Sequence, residues 1–330
     1  MALAWLGPCA AQTIVGSIDF FASQGVDIEA LRARLSVRSG DTWTSESKER
    51  LTSEIMRLLG RTPSDVASIC CDGRGKLVVY IGLADRPGPS VRLRTPSAEL
   101  SELPEGILLL YQQLDAAWER AAATGGDAVR EDRTRGYALS NDPVIRATQL
   151  RIRGFALENQ AALFTVARRS SNSRHRAVAA DAVGYVDHSA DQVRVLTRCA
   201  LDPDPEVRNN AIRALSVLAS SGIALASPIP HDPFIDLLAS PRWSDRNKSL
   251  ALLAALTERR NRAILRSICE RALQPLIECA RWSWSGHAYW PRVILGRIAG
   301  LNEEAIRAGA GEASIVDLAL SRALSCADRR

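Results

Sequence analysis

Lysine is nearly missing from this chain. Lys48, Lys76 and Lys248 stand against 39 arginines, a bias that reads as genome composition rather than phosphate binding. Histidine is scarce too: His175, His188, His231 and His287 lie far apart, and the carboxylates beside them, Asp187 and Asp232, read as turn residues. No metal site is therefore expected. The seven cysteines (Cys9, Cys70, Cys71, Cys199, Cys269, Cys279 and Cys326) form no CxxC pair and show no ligand spacing. Most read as small buried apolar residues. Cys70 and Cys71 fall on an expected strand, where neighbours point to opposite faces and do not readily pair. No apolar run approaches the ~18 residues of a membrane-spanning helix. A phosphate-cradling GxxxxGK[ST] loop, a GxSxG elbow and an HExxH helix are all lacking. Gly73-Arg74-Gly75 and Gly309-Ala310-Gly311 read as turns. The expectation is a protein without cofactor or metal, and not an enzyme.

What is present is ordinary in bulk and uneven in place. The 330 residues are 46% hydrophobic and 24% charged, with a formal net charge of +5. Residues 1–130 carry 14 basic and 16 acidic side chains, and residues 131–330 carry 28 and 21. A mild positive excess over so long a stretch reads as a solvated helical surface, so nucleic acid is not the expected partner.

The most informative stretch is Asp202 to Ala219, DPDPEVRNNAIRALSVLA. Asp204 caps a helix whose first residue is Pro205, since a carboxylate accepts an orphan amide and proline has none to lose. Val207, Ala211, Ala214, Leu215 and Leu218 fall on one stripe. A helix of this kind needs like neighbours to bury that stripe. Variants recur around Arg146, Arg176, Arg208, Arg246 and Arg292, at steps of 30, 32, 38 and 46 residues, as two-helix units with insertions require. Partner helices fall between them at Glu158–Arg168, Ala190–Ala200, Phe234–Leu238 and Ile264–Ala280, the last with an internal Pro275. The segments DPDPEVRNNAIRALSVLA, HRAVAADAVGYV and SDRNKSLALLAALT resemble HEAT repeats of the short bacterial type. That resemblance implies a solenoid of about five helix pairs. It also implies ladder contacts between successive turns, made by Arg176, Arg208 and Arg246 with Asp204 and Asp245 at the acidic positions.

Residues 13–83 have a different grammar. A strand (Thr13 to Phe20), a helix (Asp27 to Leu35), a second helix (Ser45 to Leu59) and two strands joined by Asp72-Gly73-Arg74-Gly75 give the order β-α-α-β-β. With DIEALRARL, the VRSGD turn and the closing hairpin at Tyr80-Ile81-Gly82, this order resembles the POTRA domain. The resemblance implies partner contact by strand addition at the sheet edge. Residues 1–12 resemble the end of a secretory leader, which suggests export to the periplasm, with a cytoplasmic location as the alternative. Residues 84–102 read as a linker, and 103–325 as the helical repeat region.

The tract Arg281-Trp282-Ser283-Trp284-Ser285-Gly286-His287-Ala288-Tyr289-Trp290 is the sharpest local anomaly in a chain only 5% aromatic. Its rings either fill an irregular turn or anchor a partner, and Trp243 joins the same patch if equivalent turns stack. The fold class expected is mostly α, a HEAT-like solenoid preceded by a small α+β domain. The function expected is a non-enzymatic, monomeric interaction scaffold for a protein or peptide. Its contact residues are Arg176, Arg208, Asn209, Asn210, Trp243, Arg246, Trp282, Trp284 and His287, read as exposed on turns and inner helices. Two alternatives remain: a DNA-binding protein resembling the HEAT-like alkylpurine glycosylases, and an envelope assembly factor acting through the POTRA-like domain.

Overall fold

The computed structural model describes residues 14–84, 91–95, 99–124, 128 and 130–323. The expected leader remnant, parts of the expected linker, and Cys9 and Cys326 lie outside them. The chain divides into two units: one is Arg92–Pro230, and the other joins the N-terminal segment up to Val91 to the segment from His231 onward.

In chain order the elements are β1 (Val15–Phe21), α1 (Ile28–Arg34), α2 (Ser45–Leu59), β2 (Asp65–Ile69), β3 (Leu77–Gly82), α3 (Ile107–Thr124), β4 (Glu131–Asp132) and β5 (Leu139–Ser140). There follow α4 (Pro143–Glu158), α5 (Gln160–Arg169), α6 (Ser173–Val183), α7 (Ala190–Cys199), α8 (Pro205–Ser220) and α9 (Asp232–Leu237). The last are α10 (Trp243–Leu256), α11 (Arg262–Ala280), α12 (Ser285–Ile298), α13 (Glu303–Gly309) and α14 (Ser314–Ala323). The described chain is thus mostly helical with one small N-terminal sheet. The short β4–β5 hairpin interrupts a stretch whose sequence reads as helical throughout.

The first of these units, Arg92–Pro230, is built from helices whose starts are set locally. Asp142 accepts from the amides of Val144 and Ile145 at 2.9 and 3.0 Å, and Pro143 opens α4. Asp204 accepts from Glu206 and Val207 at 2.9 and 3.2 Å, and Pro205 opens α8. Asn172 and Ser189 cap α6 and α7 in the same manner. The helices pack as α3 on α4, α5 on α6 and α7, and α8 on α6 and α7. Burial on α8 is wider than one stripe: Ile212 and Val217 are buried along with Val207, Ala211, Leu215 and Leu218, because neighbours cover it on two sides.

In the other unit a three-stranded sheet has the order β1-β3-β2, with β1 parallel and β2 antiparallel to β3. Helices α1 and α2 cover one face. Leu31, Leu35, Leu51 and Ile55 meet Phe20, Val66, Val79 and Ile81 in one apolar cluster. Asp27 caps α1 and Thr44 caps α2, while Gly60 at φ 70° closes α2 in the left-handed region that glycine enters without penalty. Asp72 organises the hairpin by accepting from Arg74 and Lys76 at 2.8 and 2.9 Å. β2 ends at Ile69, so Cys70 and Cys71 leave the strand. Contrary to the alternation argument, they are bonded to each other across a cis peptide.

The helices of this unit pack as α9 on α10 and α11, α12 on α10 and α11, and α14 on α12 and α13. Pro275 removes a donor from the middle of α11, and the helix departs from helical geometry three residues earlier, at Ala272 (φ −138°, ψ 21°).

Candidate functional site

The repeated arginines share one local task. Arg146 donates to the carbonyl of Ser140, Arg176 to Ser170, Arg208 to Asp202 and Arg246 to Ser240, each six residues back, at 3.4, 2.9, 2.8 and 2.7 Å. Each guanidinium thereby closes the loop that leads into its own helix. Arg292 breaks the rule and binds the carbonyls of Ala280, at 2.9 Å, and Gly311, at 2.9 Å.

The acidic partners of Arg176 and Arg246 differ from those the resemblance implied. Arg176 makes a bidentate pair with Asp202 at 2.8 and 2.9 Å, and Arg94 reaches the same carboxylate. Arg246 pairs with Glu278 at 2.7 Å. Asp204 instead caps its helix, and Asp245 accepts from the Ser240 hydroxyl at 2.6 Å. Arg176, Arg208, Asn209, Asn210 and Arg246 are consequently buried, not exposed as expected. Asn210 donates to Ala177 O at 3.0 Å and Asn209 to Asn210 Oδ1 at 3.3 Å.

The structure brings Trp243, Arg246, Trp282, Trp284 and His287 together in one place, against the second face of the sheet. On β1 and β3 that face presents Asp19, Phe21 and Tyr80. The Tyr80 ring stacks on Trp243 (centroids 5.2 Å, 23° between planes) and meets Trp282 at 4.9 Å and His287 at 5.4 Å. Its hydroxyl lies 2.7 Å from Nδ1 of His287. Trp284 sets its edge against His287 at 4.0 Å. Each such ring pair adds about 0.5–1.5 kcal/mol beyond area burial. Trp243 and Trp282 are buried, which corrects their expected exposure, and Trp284 and His287 are half-buried. Among the described residues the indole N–H groups of Trp243 and Trp282 have no acceptor.

Three carboxylates surround this aromatic cluster. Asp65, at the start of β2, accepts from the amide of Trp243 at 2.8 Å, the first residue of α10. Asp19 accepts from the amide and hydroxyl of Ser283 at 3.0 and 2.6 Å, just before α12. Both sit where helix amides and the macrodipole favour a negative charge. The residues preceding α10 and α12, Arg242 and Trp284, supply no side-chain cap of their own. Glu278 joins the two segments by accepting from the amides of Ala22 and Ser23 at 2.8 and 3.1 Å, from the Ser23 hydroxyl at 3.1 Å, and from Arg246. The Arg246 guanidinium also lies over the Phe21 ring at 4.9 Å.

Burial sets the protonation states. It pushes the pKa of His287 down to about 3, with Lys248 adding to the effect, so the ring is neutral. The contact is satisfied either by Tyr80 donating to Nδ1 or by Nδ1–H donating to the hydroxyl. The Tyr80 hydroxyl is pushed well up by burial and by nearby Asp19, and burial raises Asp19 and Asp65. Among the described residues no three of His, Cys, Asp and Glu converge to hold a metal ion.

Two signals in the sequence point to this junction. β3 reads LVVYIG and is buried at every position, which a strand covered on one face only would not be. The repeats before α10 and α12 also lack the Asp-Pro start of α4 and α8, so their caps have to come from elsewhere.

Residues 161–274 match a family model described as HEAT repeats. The matched segment runs from α5 into α11 and holds Arg176, Arg208 and Arg246. A comparison with curated proteins finds none that matches the chain.

Proposed function

We propose that this chain is a non-enzymatic protein-interaction scaffold that acts as a monomer, combining HEAT-like helix pairs with a POTRA-like β-α-α-β-β module. The observation that carries this reading is the junction around Tyr80. There, the turns and helix starts of two helix pairs already hold a folded β-sheet through three carboxylates and a ring cluster. HEAT-like repeats commonly serve as protein-interaction scaffolds, which agrees with the similarity over residues 161–274.

The partner contact proposed is strand addition at β2. The outer edge of β1 is covered: Ile14 bridges to Thr42, Arg32 donates to Ile18 O at 2.9 Å, and the Ser39 hydroxyl donates to Gly16 O at 2.6 Å. Among the described residues no strand lies beyond β2, whose residues are mostly half-buried. An open strand edge of this kind pairs with an extended peptide. The nucleic-acid alternative gains nothing from Trp243 and Trp282, which face Tyr80. No helix among the described residues is long and apolar enough to cross a membrane. Action as an envelope assembly factor fits the same module, and its export rests on residues 1–12, outside those described.

A photo-crosslinking amino acid at Ser68, in β2 of the full-length protein, tests the reading in the native host. A discrete adduct from Ser68, absent when the probe sits at Thr52 on α2, is expected. Identical products from the two positions would rule out the β2 edge.

A further inference from the structure

The aromatic tract divides. Its first half serves the Tyr80 junction, while Tyr289 and Trp290 line a separate cavity of about 320 Å³ between the end of α10, α12 and α13. The two rings meet edge to face with centroids 5.0 Å apart, and Trp290 is 38% exposed. Val293 and Ile306, both buried, supply further apolar lining.

The charged lining is partly neutralised. Arg297 directs its donors to Ala254 O, to Thr257 Oγ1 at 3.1 Å, and to Glu303 at 3.2 and 3.3 Å. Glu303 also accepts from Arg260 at 2.9 Å, so two guanidinium groups share its charge. Arg307 is different. Its Nε donates to the backbone oxygen of Glu303 at 3.3 Å, and among the described residues it has no carboxylate partner. Glu258, exposed in the turn after α10, likewise has no basic partner among them.

We propose that this cavity receives the carboxy-terminal residue of a partner polypeptide, an apolar or aromatic residue with a free carboxylate. The volume lies at the lower end of ligand sites, roughly 300–1,000 Å³, which suits one residue rather than a helix or strand. Trp290, Tyr289, Val293 and Ile306 take the side chain. The guanidinium of Arg307 takes the carboxylate, as a planar fork does in bidentate geometry. Glu258 accepts the backbone N–H that a chain-terminal residue still carries. The lining is balanced overall, Arg297 and Arg307 against Glu258 and Glu303, and Arg307 is the cation in it that no carboxylate among the described residues neutralises. This deepens the scaffold reading and rests on it.

Fluorescence polarisation of the full-length protein with N-terminally labelled pentapeptide pools tests the site. One pool ends in Phe, Leu or Trp with a free carboxylate, and its match is amidated. The acid pool should bind, and the amide about tenfold more weakly. Arg307→Ala should lose about tenfold of acid-pool affinity and Arg307→Lys regain part of it. Trp290→Ala should also weaken binding; both side chains are exposed, so the fold survives. Equal binding of acid and amide, indifference to Arg307→Ala, or no binding by either pool overturns the assignment. Competition by free phenylalanine as strong as by peptide overturns it in favour of a small-molecule site. None of these results touches crosslinking at Ser68, so the scaffold reading stands or falls separately.

Discussion

Tyr80 and His287 lie 207 positions apart in the chain, yet the tyrosine hydroxyl is 2.7 Å from Nδ1 of the imidazole. The bond joins the central strand of the sheet to the first turn of α12. Removing only the hydroxyl, in Tyr80→Phe, leaves Nδ1 without its partner and should cost about 1–2 kcal/mol. Tyr80→Ala also empties the space between Trp243 and Trp282 and should cost about 3–5 kcal/mol. Urea unfolding followed by near-ultraviolet circular dichroism measures both. A loss under about 1 kcal/mol for Tyr80→Ala would contradict a packed junction.

Acid should weaken the same junction through His287. The unfolded ring takes up its proton near its ordinary value of 6.5, whereas burial holds the folded ring back to about 3. Between those values the unfolded state binds more protons, so stability falls as pH drops. Asp19 and Asp65 act with the opposite sign. Burial raises them, so the folded state takes their protons first and acidification through their range offsets part of the loss. From pH 7 to 5 the unfolding temperature should therefore fall, and His287→Gln, which keeps an acceptor but cannot charge, should flatten the slope. Parallel slopes for the two proteins would remove His287 from the account.

Glu278 is the acid whose loss should be felt in two segments. In Glu278→Ala the guanidinium of Arg246, 2% exposed, stays buried without its carboxylate while Ala22 and Ser23 lose their acceptor. A loss of about 3–5 kcal/mol is expected. Arg246→Met combined with Glu278→Ala should cost less than the sum of the single changes. Additive costs in a double-mutant cycle would show that the two do not interact.

Asp202 and Asp204 differ by two positions and should differ several-fold in consequence. Asp202→Ala strips Arg176 and Arg94 of a fully buried carboxylate and should cost about 3–5 kcal/mol. Asp204→Ala removes a helix cap and should cost about 1 kcal/mol. Guanidinium titration of the two variants decides the order, and a larger loss for Asp204→Ala would restore it to the ladder.

Much of the architecture was legible because it is local. Asp142-Pro143 and Asp204-Pro205 start helices by hydrogen bonds within three residues, and Asp72 shapes a hairpin within four. The positions of four of the repeated arginines were legible for the same reason, since Arg146, Arg176, Arg208 and Arg246 each reach a carbonyl six residues back. Their burial was not. An arginine on a helix surface and one folded under a loop have the same neighbours in sequence. The exposure expected of Arg176, Arg208 and Arg246 failed on that point.

The locally capped helix starts, the β-α-α-β-β order and the recurrence of helical pairs can be read from the residues alone, because caps, turns and apolar spacing act over a few residues. That Tyr80 lies between Trp243 and Trp282, that Glu278 serves Ala22 and Arg246 together, and that Asp19 and Asp65 stand at helix starts far along the chain follows from packing across the fold. Apart from Glu278 with Arg246, those pairings span about 160 to 264 positions. They are chosen by which buried charges and rings can be satisfied at once, a condition that no short stretch of sequence contains.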